Sequence, residues 1–503
     1  MRPGGDGRTL AAPRLGPASL CAFRAIGSSE PFRTIWLQSD PPLCILGAVF
    51  NFLCFPKNLK MTIERTTHLE RLVAAKHDGF VKILTGIRRC GKSFLLFKLF
   101  KRHLLSTGVP KERIVEIDLE RKSFARLRDP IALGDYVRGK IGHGTGWTYV
   151  FIDEIQLCRK VLPPGVDLSR VHPDDREDAY VTFYDVLSEL KNLPFVDVYV
   201  TGSNSRMLSS DVATQFRGRG KVIHVQPLSF AEVLSSSGRN PDRARVLRDY
   251  LAYGGLPECV LMPDEESRRN YLAGLYGTIY VRDIQERNKI RNVAVLEAVI
   301  DMAMSSIGGL TNPTKLAHSM NSVMQVKTNH ATVRSYLKHL ENAFLLRQAL
   351  QWDVKGRRYM EYPFKLYATD LGLRNARIGF RQTDFSHLME NAVHNELLLR
   401  GYDVDVGSVP IDTGKDENRD ASRHEIDFVV RRGPETVYVQ SAASIYDEGK
   451  RKQETYPLLH SGDSFRKIVI VNDPLQPRTF DNDGIGYMGL VDFLLDPNAL
   501  DFR

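Results

Sequence analysis

A chain of 503 residues is too long to fold around one core, and with 43% hydrophobic residues and a formal net charge of +9 it reads as several folded domains. The six cysteines, Cys21, Cys44, Cys54, Cys90, Cys158 and Cys259, form no C-x-x-C pair and show no metal spacing, which argues against a disulfide framework or a zinc site and for a reducing cytoplasm. The positive charge permits nucleic acid as a partner without requiring it.

Residues 1–60 are rich in Pro, Gly and Arg and read as a disordered extension, so translation is expected to begin at Met61. The apolar stretch Leu43 to Phe55 is interrupted by Gly47 and Asn51 and falls short of the roughly twenty apolar residues of a bilayer span. No stable membrane association is expected. From Thr62 a helical stretch leads to an apolar strand, Val81 to Thr85. Gly86-Ile87-Arg88-Arg89-Cys90-Gly91-Lys92-Ser93 follows, a complete G-x-x-x-x-G-K-S phosphate loop, and then a helix, Phe94 to Leu105, with Leu96, Phe100 and Leu104 on one stripe.

Strand, loop and helix in that order predict a nucleoside triphosphate site spanning Gly86 to Phe94. The glycines let backbone N–H groups turn inward as an anion nest, Lys92 reaches the outer phosphates, and Ser93 is a magnesium ligand. Cys90 lies beside Lys92 at a helix N-terminus, where a thiol is either acidified and reactive or packed beneath the loop.

Further on, Arg113 to Leu119 is a second strand and 131 to 141 a helix. Trp147 to Glu154 is an apolar strand ending in two carboxylates, the pattern of a Walker B strand. Asp153 suits the magnesium shell and Glu154 suits a water-polarising role, which favours hydrolysis over phosphoryl transfer to a small substrate. Cys158 to Asp178 reads as a polar loop, Val181 to Leu193 as a helix, Val196 to Thr201 as a strand and Val222 to Gln226 as the last strand. Asn204, with Ser203 second, is the candidate phosphate sensor, and an ordinary helix cap is the competing reading. Arg219, or else Arg217, is the candidate arginine finger, in cis or across an oligomer interface.

The runs Thr85 to Ser93, Phe151 to Gln156, Val198 to Leu208, Phe216 to Gly220 and Pro227 to Glu232 resemble the AAA-type P-loop ATPases of bacteria and archaea. They are closest to the group in which such an ATPase is fused to a C-terminal domain of unknown function related to PD-(D/E)xK nucleases. The resemblance covers the chain from Met61 onward. It implies a five-stranded parallel sheet with helices on both faces, and ATP and magnesium at Gly86 to Ser93, Asp153 and Glu154.

Residues 242 to 290 are helical in pattern, broken at Tyr253-Gly-Gly-Leu-Pro257, and read as a lid on the ATPase. Val293 to Ser306 is a helix, Asn312 caps a second with Pro313 at its first position, and Thr328 or Asn329 opens a third. With the strand Phe344 to Leu350 and the basic turn Lys355 to Arg358, they suggest a winged helix-turn-helix. Arg334 and Lys338 would lie on its recognition helix and Arg357 and Arg358 in its wing, a candidate DNA contact.

Tyr367 to Leu373 resembles the start of the family's C-terminal domain. Glu390 falls on a helix and Asp427 on a strand, but the positions where an active nuclease carries an acid and a lysine hold Gln440 and Ala442. A non-cutting domain is expected, unless a lysine from elsewhere, such as Lys450, replaces the missing one.

The expected fold is therefore α/β: an AAA-type P-loop ATPase domain with a parallel sheet over 61–235, a helical lid over 236–292, a winged helix-turn-helix over 293–360 and a restriction-endonuclease-like α/β domain over 361–503. The expected function is magnesium-dependent ATP hydrolysis that controls a DNA-binding, nuclease-like region. A switch acting on protein partners is the alternative.

Overall fold

The computed structural model describes residues 62–141, 146–202, 220–381, 384–411 and 422–501. The sensor candidates Ser203 and Asn204 and the finger candidates Arg217 and Arg219 lie outside them.

Three strands, β1 (Val81–Thr85), β3 (Thr148–Asp153) and β4 (Val196–Thr201), are buried at every position, as central strands of a sheet covered on both faces must be. With β2 (Ile114–Asp118) and β5 (Gly220–His224) they form an all-parallel five-stranded sheet in the order β2-β3-β4-β1-β5. Side chains alternate across it. Val150, Ile152, Val198 and Val200 join one core with the helices Pro130–Arg138 and Phe183–Asn192, while Tyr149, Phe151, Tyr199 and Phe100 join another on the opposite face.

That second core does not end at the edge of the sheet. It continues without a break through the helices Glu265–Leu275, Val293–Ser305, Pro313–Ser322 and His330–Asn342 to Leu346 and Phe364. The helix starts follow local chemistry. Asn312 accepts from the Lys315 N–H at 2.7 Å with Pro313 behind it, and Asn329 accepts from the Thr332 N–H at 2.8 Å.

The hairpin of β6 (Leu346–Asp353) and β7 (Arg358–Ala368) follows. Its place corrects the expectation of a separate wing. Through β6 it pairs in parallel with β8 (Asp403–Ile411), and so it forms one side of a larger sheet. The remaining strands are β9 (Ser422–Arg432), β10 (Glu435–Ala442), β11 (Arg466–Val471), β12 (Thr479–Phe480) and β13 (Ile485–Gly489), and the eight-stranded order is β12-β13-β11-β10-β9-β8-β6-β7. A boundary at 360 would cut β7. Backbone pairing between strands, which a run of helices and turns in the sequence does not reveal, joins the hairpin to what comes after it. Phe230, Leu247 and Leu251 pack into the core of this second sheet, so the chain leaving the first sheet crosses directly onto it. Among the described residues no helix is long and apolar enough to cross a membrane.

Candidate active site

The phosphate loop connects β1 to a helix that runs Lys92–Phe94 in α geometry, Leu95–Phe100 with wider π turns and Lys101–Ser106 in α geometry. Gly86 has φ +143°, and a Cβ there would lie 2.0 Å from the Val225 carbonyl oxygen. Gly91 has φ +96° at the position just before the helix. Both conformations favour glycine, for steric reasons. Lys92 is buried, its ammonium donating to the carbonyls of Gly86 at 3.0 Å and Ile87 at 3.1 Å.

Cys90 takes the packed alternative: its thiol is fully buried and donates to the Val225 carbonyl at 3.2 Å. The loop is held from outside as well. Arg88 lies 3.6 Å from both Glu120 and Asp283, Arg89 pairs with Glu258 at 3.1 Å, and the Tyr280 hydroxyl donates to the Arg88 carbonyl at 2.8 Å. These two arginines thus engage acids of neighbouring segments, and the region read as a lid braces the loop. Arg65 was not foreseen. It donates to the Cys90 carbonyl at 2.9 Å and pairs with Glu232 at 3.1 Å, tying the loop to the end of the first sheet.

At the carboxyl end of β3 the Ser93 hydroxyl donates to Asp153 Oδ1 at 2.9 Å, and the Thr201 hydroxyl donates to the same oxygen. Glu154 has φ +52°, its N–H donates to Thr201 Oγ1 at 3.1 Å, and the Gln156 amide donates to its carboxylate. Burial pushes the Asp153 carboxyl above the usual range, while the hydrogen bonds from Thr201 and Ser93 pull it back. Thr201 is therefore the polar residue that β4 delivers to the pair of acids. The signal for it was a threonine at the end of the strand. Beside this cluster lies a cavity of about 560 Å³, lined by Ser93, Phe94, Asp118, Arg121 and Asp153 among others, with Phe94 44% exposed.

These donors suit a hard divalent cation, being hydroxyl and carboxylate oxygens. No group of three or more His, Cys, Asp or Glu able to hold a metal exists among the described residues, so an ion here needs phosphate oxygens to complete its shell, as magnesium does in nucleotide sites. The residues fit magnesium bound together with a nucleotide.

Residues 78–234 match the family described as an AAA domain, and residues 244–384 match a domain of unknown function. A protein of Haemophilus influenzae described as uncharacterized is 32% identical over 441 residues, covering 87% of this chain and 99% of that protein. The chain belongs to this family of AAA-domain proteins. A second uncharacterized relative of this AAA protein, from Methanocaldococcus jannaschii, is 24% identical over 336 residues, which is 64% of this chain and 67% of that one. Among solved structures, the Walker-type ATPase of Pyrococcus abyssi aligns with a TM-score of 0.41 and 14% identity, over 63% of this chain and 96% of that chain.

The C-terminal sheet of the AAA protein carries a second acidic cluster. Lys365 on β7 is buried, with its ammonium 2.7 Å from Glu390, 2.5 Å from Glu425 and 3.3 Å from Asp427. The Tyr367 hydroxyl donates to Glu390 at 2.6 Å, and the Ser441 N–H donates to Asp427 at 2.9 Å. Gln440 accepts from the Asp427 N–H at 3.2 Å and donates to Glu454 at 2.9 Å. Ala442 is buried, and Lys450 is exposed on the helix Glu448–Leu459. The lysine of this cluster is thus Lys365 and not Lys450. A lone lysine in the apolar run Tyr362-Pro-Phe-Lys-Leu-Tyr367 was its only signal. Burial and the neighbouring Asp427 push Glu390 up to about 8, against the pull of Lys365.

The four basic residues expected to meet DNA are exposed, and three of them face acids. Arg334 lies 3.4 Å from Glu361, Lys338 3.3 Å from Glu341 and Arg358 3.9 Å from Asp353. Arg357 turns the hairpin with φ +47°.

Proposed function

We propose that the protein is a magnesium-dependent ATPase whose nucleotide state controls the helical and C-terminal regions. The observation that carries this reading is the hydrogen bond from Ser93 of the phosphate loop to Asp153 at the end of β3, with Glu154 next to it. It brings the loop and the acid pair to one point. Magnesium held at Ser93 and Asp153 would neutralise charge on the phosphates. Lys92 exchanges its two loop carbonyls for phosphate oxygens, the loop N–H groups hold the same anion, and Glu154 accepts a proton from, or orients, the attacking water. Asn204 as sensor and Arg219 or Arg217 as finger complete the set. Arg88, Arg89 and Tyr280 transmit the state of the loop to the helices they touch.

Steady-state ATP turnover with magnesium tests this. Lys92→Ala is expected to lose nucleotide binding, and Glu154→Gln to bind ATP without hydrolysing it. Turnover by Glu154→Gln at the wild-type rate would remove Glu154 from its role.

For the output of the switch we favour DNA contact through Arg334, Lys338, Arg357 and Arg358, without cleavage, because Lys365 already compensates the acids that would hold a catalytic metal. The facing acids support the rival reading, a protein partner. Affinity for random duplex DNA measured across a salt series decides between them, since phosphate contacts make it fall steeply with salt.

A further inference from the structure

Between the end of β5 and the beginning of the C-terminal sheet lies a cavity of about 500 Å³, away from the phosphate loop's outer face. Elements of both sheets converge on it, with Tyr359, Asp403, Asp405 and Arg431 of β7, β8 and β9 along one side. The helix Thr66–Ala74 supplies Arg71, the end of β5 supplies His224 with Gln226 just beyond, β6 supplies Arg347 and Gln348, and the helix Phe385–Leu399 supplies His394.

The charges in this cavity do not balance. Arg347 is half-buried, and its guanidinium donates to His224 Nε2 at 2.8 Å and sits over the Phe344 ring at 5.5 Å. No carboxylate forms an ion pair with it among the described residues; Glu341 acts on it only at longer range and is itself paired with Lys338 at 3.3 Å. Arg71 donates to the carbonyl of Leu399 at a helix end and likewise has no carboxylate partner among them. Burial lowers the pKa of both guanidinium groups.

The histidines supply no countercharge. Burial and the nearby arginines push His224 down to about 3, and burial does the same to His394. Arg347 can only donate, so His224 Nε2 accepts and its Nδ1–H faces the Thr85 hydroxyl at 3.5 Å, directly before Gly86. The nearby acids are engaged elsewhere or peripheral. Asp405 holds Arg431 at 2.5 Å and Tyr359 at 3.0 Å, Glu396 holds Arg400 at 2.8 Å, and Asp370 accepts from the N–H groups of Gly255 at 2.8 Å and Leu373 at 2.9 Å. Asp403 is exposed at the rim. His224, Gln226 and Arg347 also line a second, much smaller cavity, whose wall includes Thr369, a buried residue whose hydroxyl has no hydrogen-bond partner among the described residues.

We propose that this cavity binds a small molecule through an oxyanion, phosphate or carboxylate, gripped by Arg347 and Arg71. A largely desolvated guanidinium with no carboxylate in ion-pair contact is unfavourable, and its planar fork matches two oxygens of such an anion. The volume falls within the range of ordinary ligand sites and accommodates a mononucleotide. Gln226, Gln348 and Tyr359 offer amides and a ring to the body of the ligand.

The test uses the full chain and follows thermal unfolding in inorganic phosphate, AMP and succinate, each against sodium chloride of equal ionic strength. At least one anion is expected to raise the wild-type Tm by several degrees, and the same shift is expected in Lys92→Ala, which separates this cavity from the phosphate loop. The pattern among the three identifies phosphate or carboxylate. Arg347→Gln is expected to abolish the shift while raising the Tm in chloride alone, because it removes an uncompensated charge; Arg71→Gln is the second variant and is expected to weaken the response at least fivefold in apparent affinity. The inference is overturned if no anion shifts the wild type, if Lys92→Ala loses the shift, or if both arginine variants retain it.

Discussion

Two acidic clusters, one at the end of β3 and one against the C-terminal sheet, divide the molecule's chemistry, and they differ in how their charge is met. At the end of β3, Asp153 and Glu154 are surrounded by hydroxyls and amides, from Ser93, Thr201 and Gln156, beside an open cavity. On the C-terminal sheet, Glu390, Glu425 and Asp427 enclose the ammonium of Lys365. Neutral donors orient a carboxylate and leave its charge for a cation brought from outside. An internal lysine compensates that charge permanently and turns the cluster into structure. Similar residue types thus give a site in one sheet and a buried ion-pair network in the other.

The largest effect that sharpens this contrast is expected from Lys365→Met. Removing the one cation leaves three carboxylates facing each other, and breaking a buried pair in this way costs about 3–5 kcal/mol. Urea unfolding is expected to show that loss in full, and a change below 1 kcal/mol would mean that the network does not hold the sheet together.

Next in size is Glu154→Gln at the first cluster. ATP turnover should fall at least about a hundredfold, roughly 2.7 kcal/mol of barrier, with ATP affinity within about twofold of wild type. Equal losses in binding and turnover would point to a structural role for Glu154.

A smaller effect is expected from Thr201→Val. The change removes a donor to Asp153 and the acceptor of the Glu154 N–H. Donors to a carboxylate favour its ionised form, so Asp153 should become harder to ionise and bind magnesium less well in mild acid. The acid limb of the ATPase profile is expected to move to higher pH, with about a tenfold loss near neutrality. An unmoved limb would detach Asp153 from the metal.

A further prediction concerns pH and stability. The folded Glu390 keeps its proton to about 8 against 4.5 when free, so the folded state binds the extra proton between those values. Its contribution to stability is whole below pH 4.5 and is lost as pH rises through 8. Glu390→Gln should therefore show a flatter Tm profile than the wild type between pH 6 and roughly 8.5. Parallel profiles would show that Glu390 is ionised throughout.

Much of the first sheet was legible because its signals are local. Apolar runs buried on both faces marked β1, β3 and β4 within a residue or two, and the glycine spacing with Lys92 and Ser93 marked the loop because that geometry is set by consecutive residues. Asn312 and Asn329 announced their helices for the same reason. The sequence alone also left Cys90 between two environments, since burial depends on what lies beneath the loop.

What only the tertiary structure decided is pairing between residues far apart in the chain. Lys82, inside a run read as plain apolar strand, is fully buried and neutralised by Asp197 from β4 and by Asp78 at 2.8 Å. Thr201 meets Asp153 only because separate strands bring them together, and Lys365 meets Glu390 only because a helix packs on its strand. The β6–β7 hairpin looked like a wing until β8 paired with it, and Arg347 looked like any strand arginine until His224 came to face it. A sequence states each residue's chemistry and its near neighbours. Whether a charge is compensated depends on a partner that folding delivers, and burial makes that partner decisive.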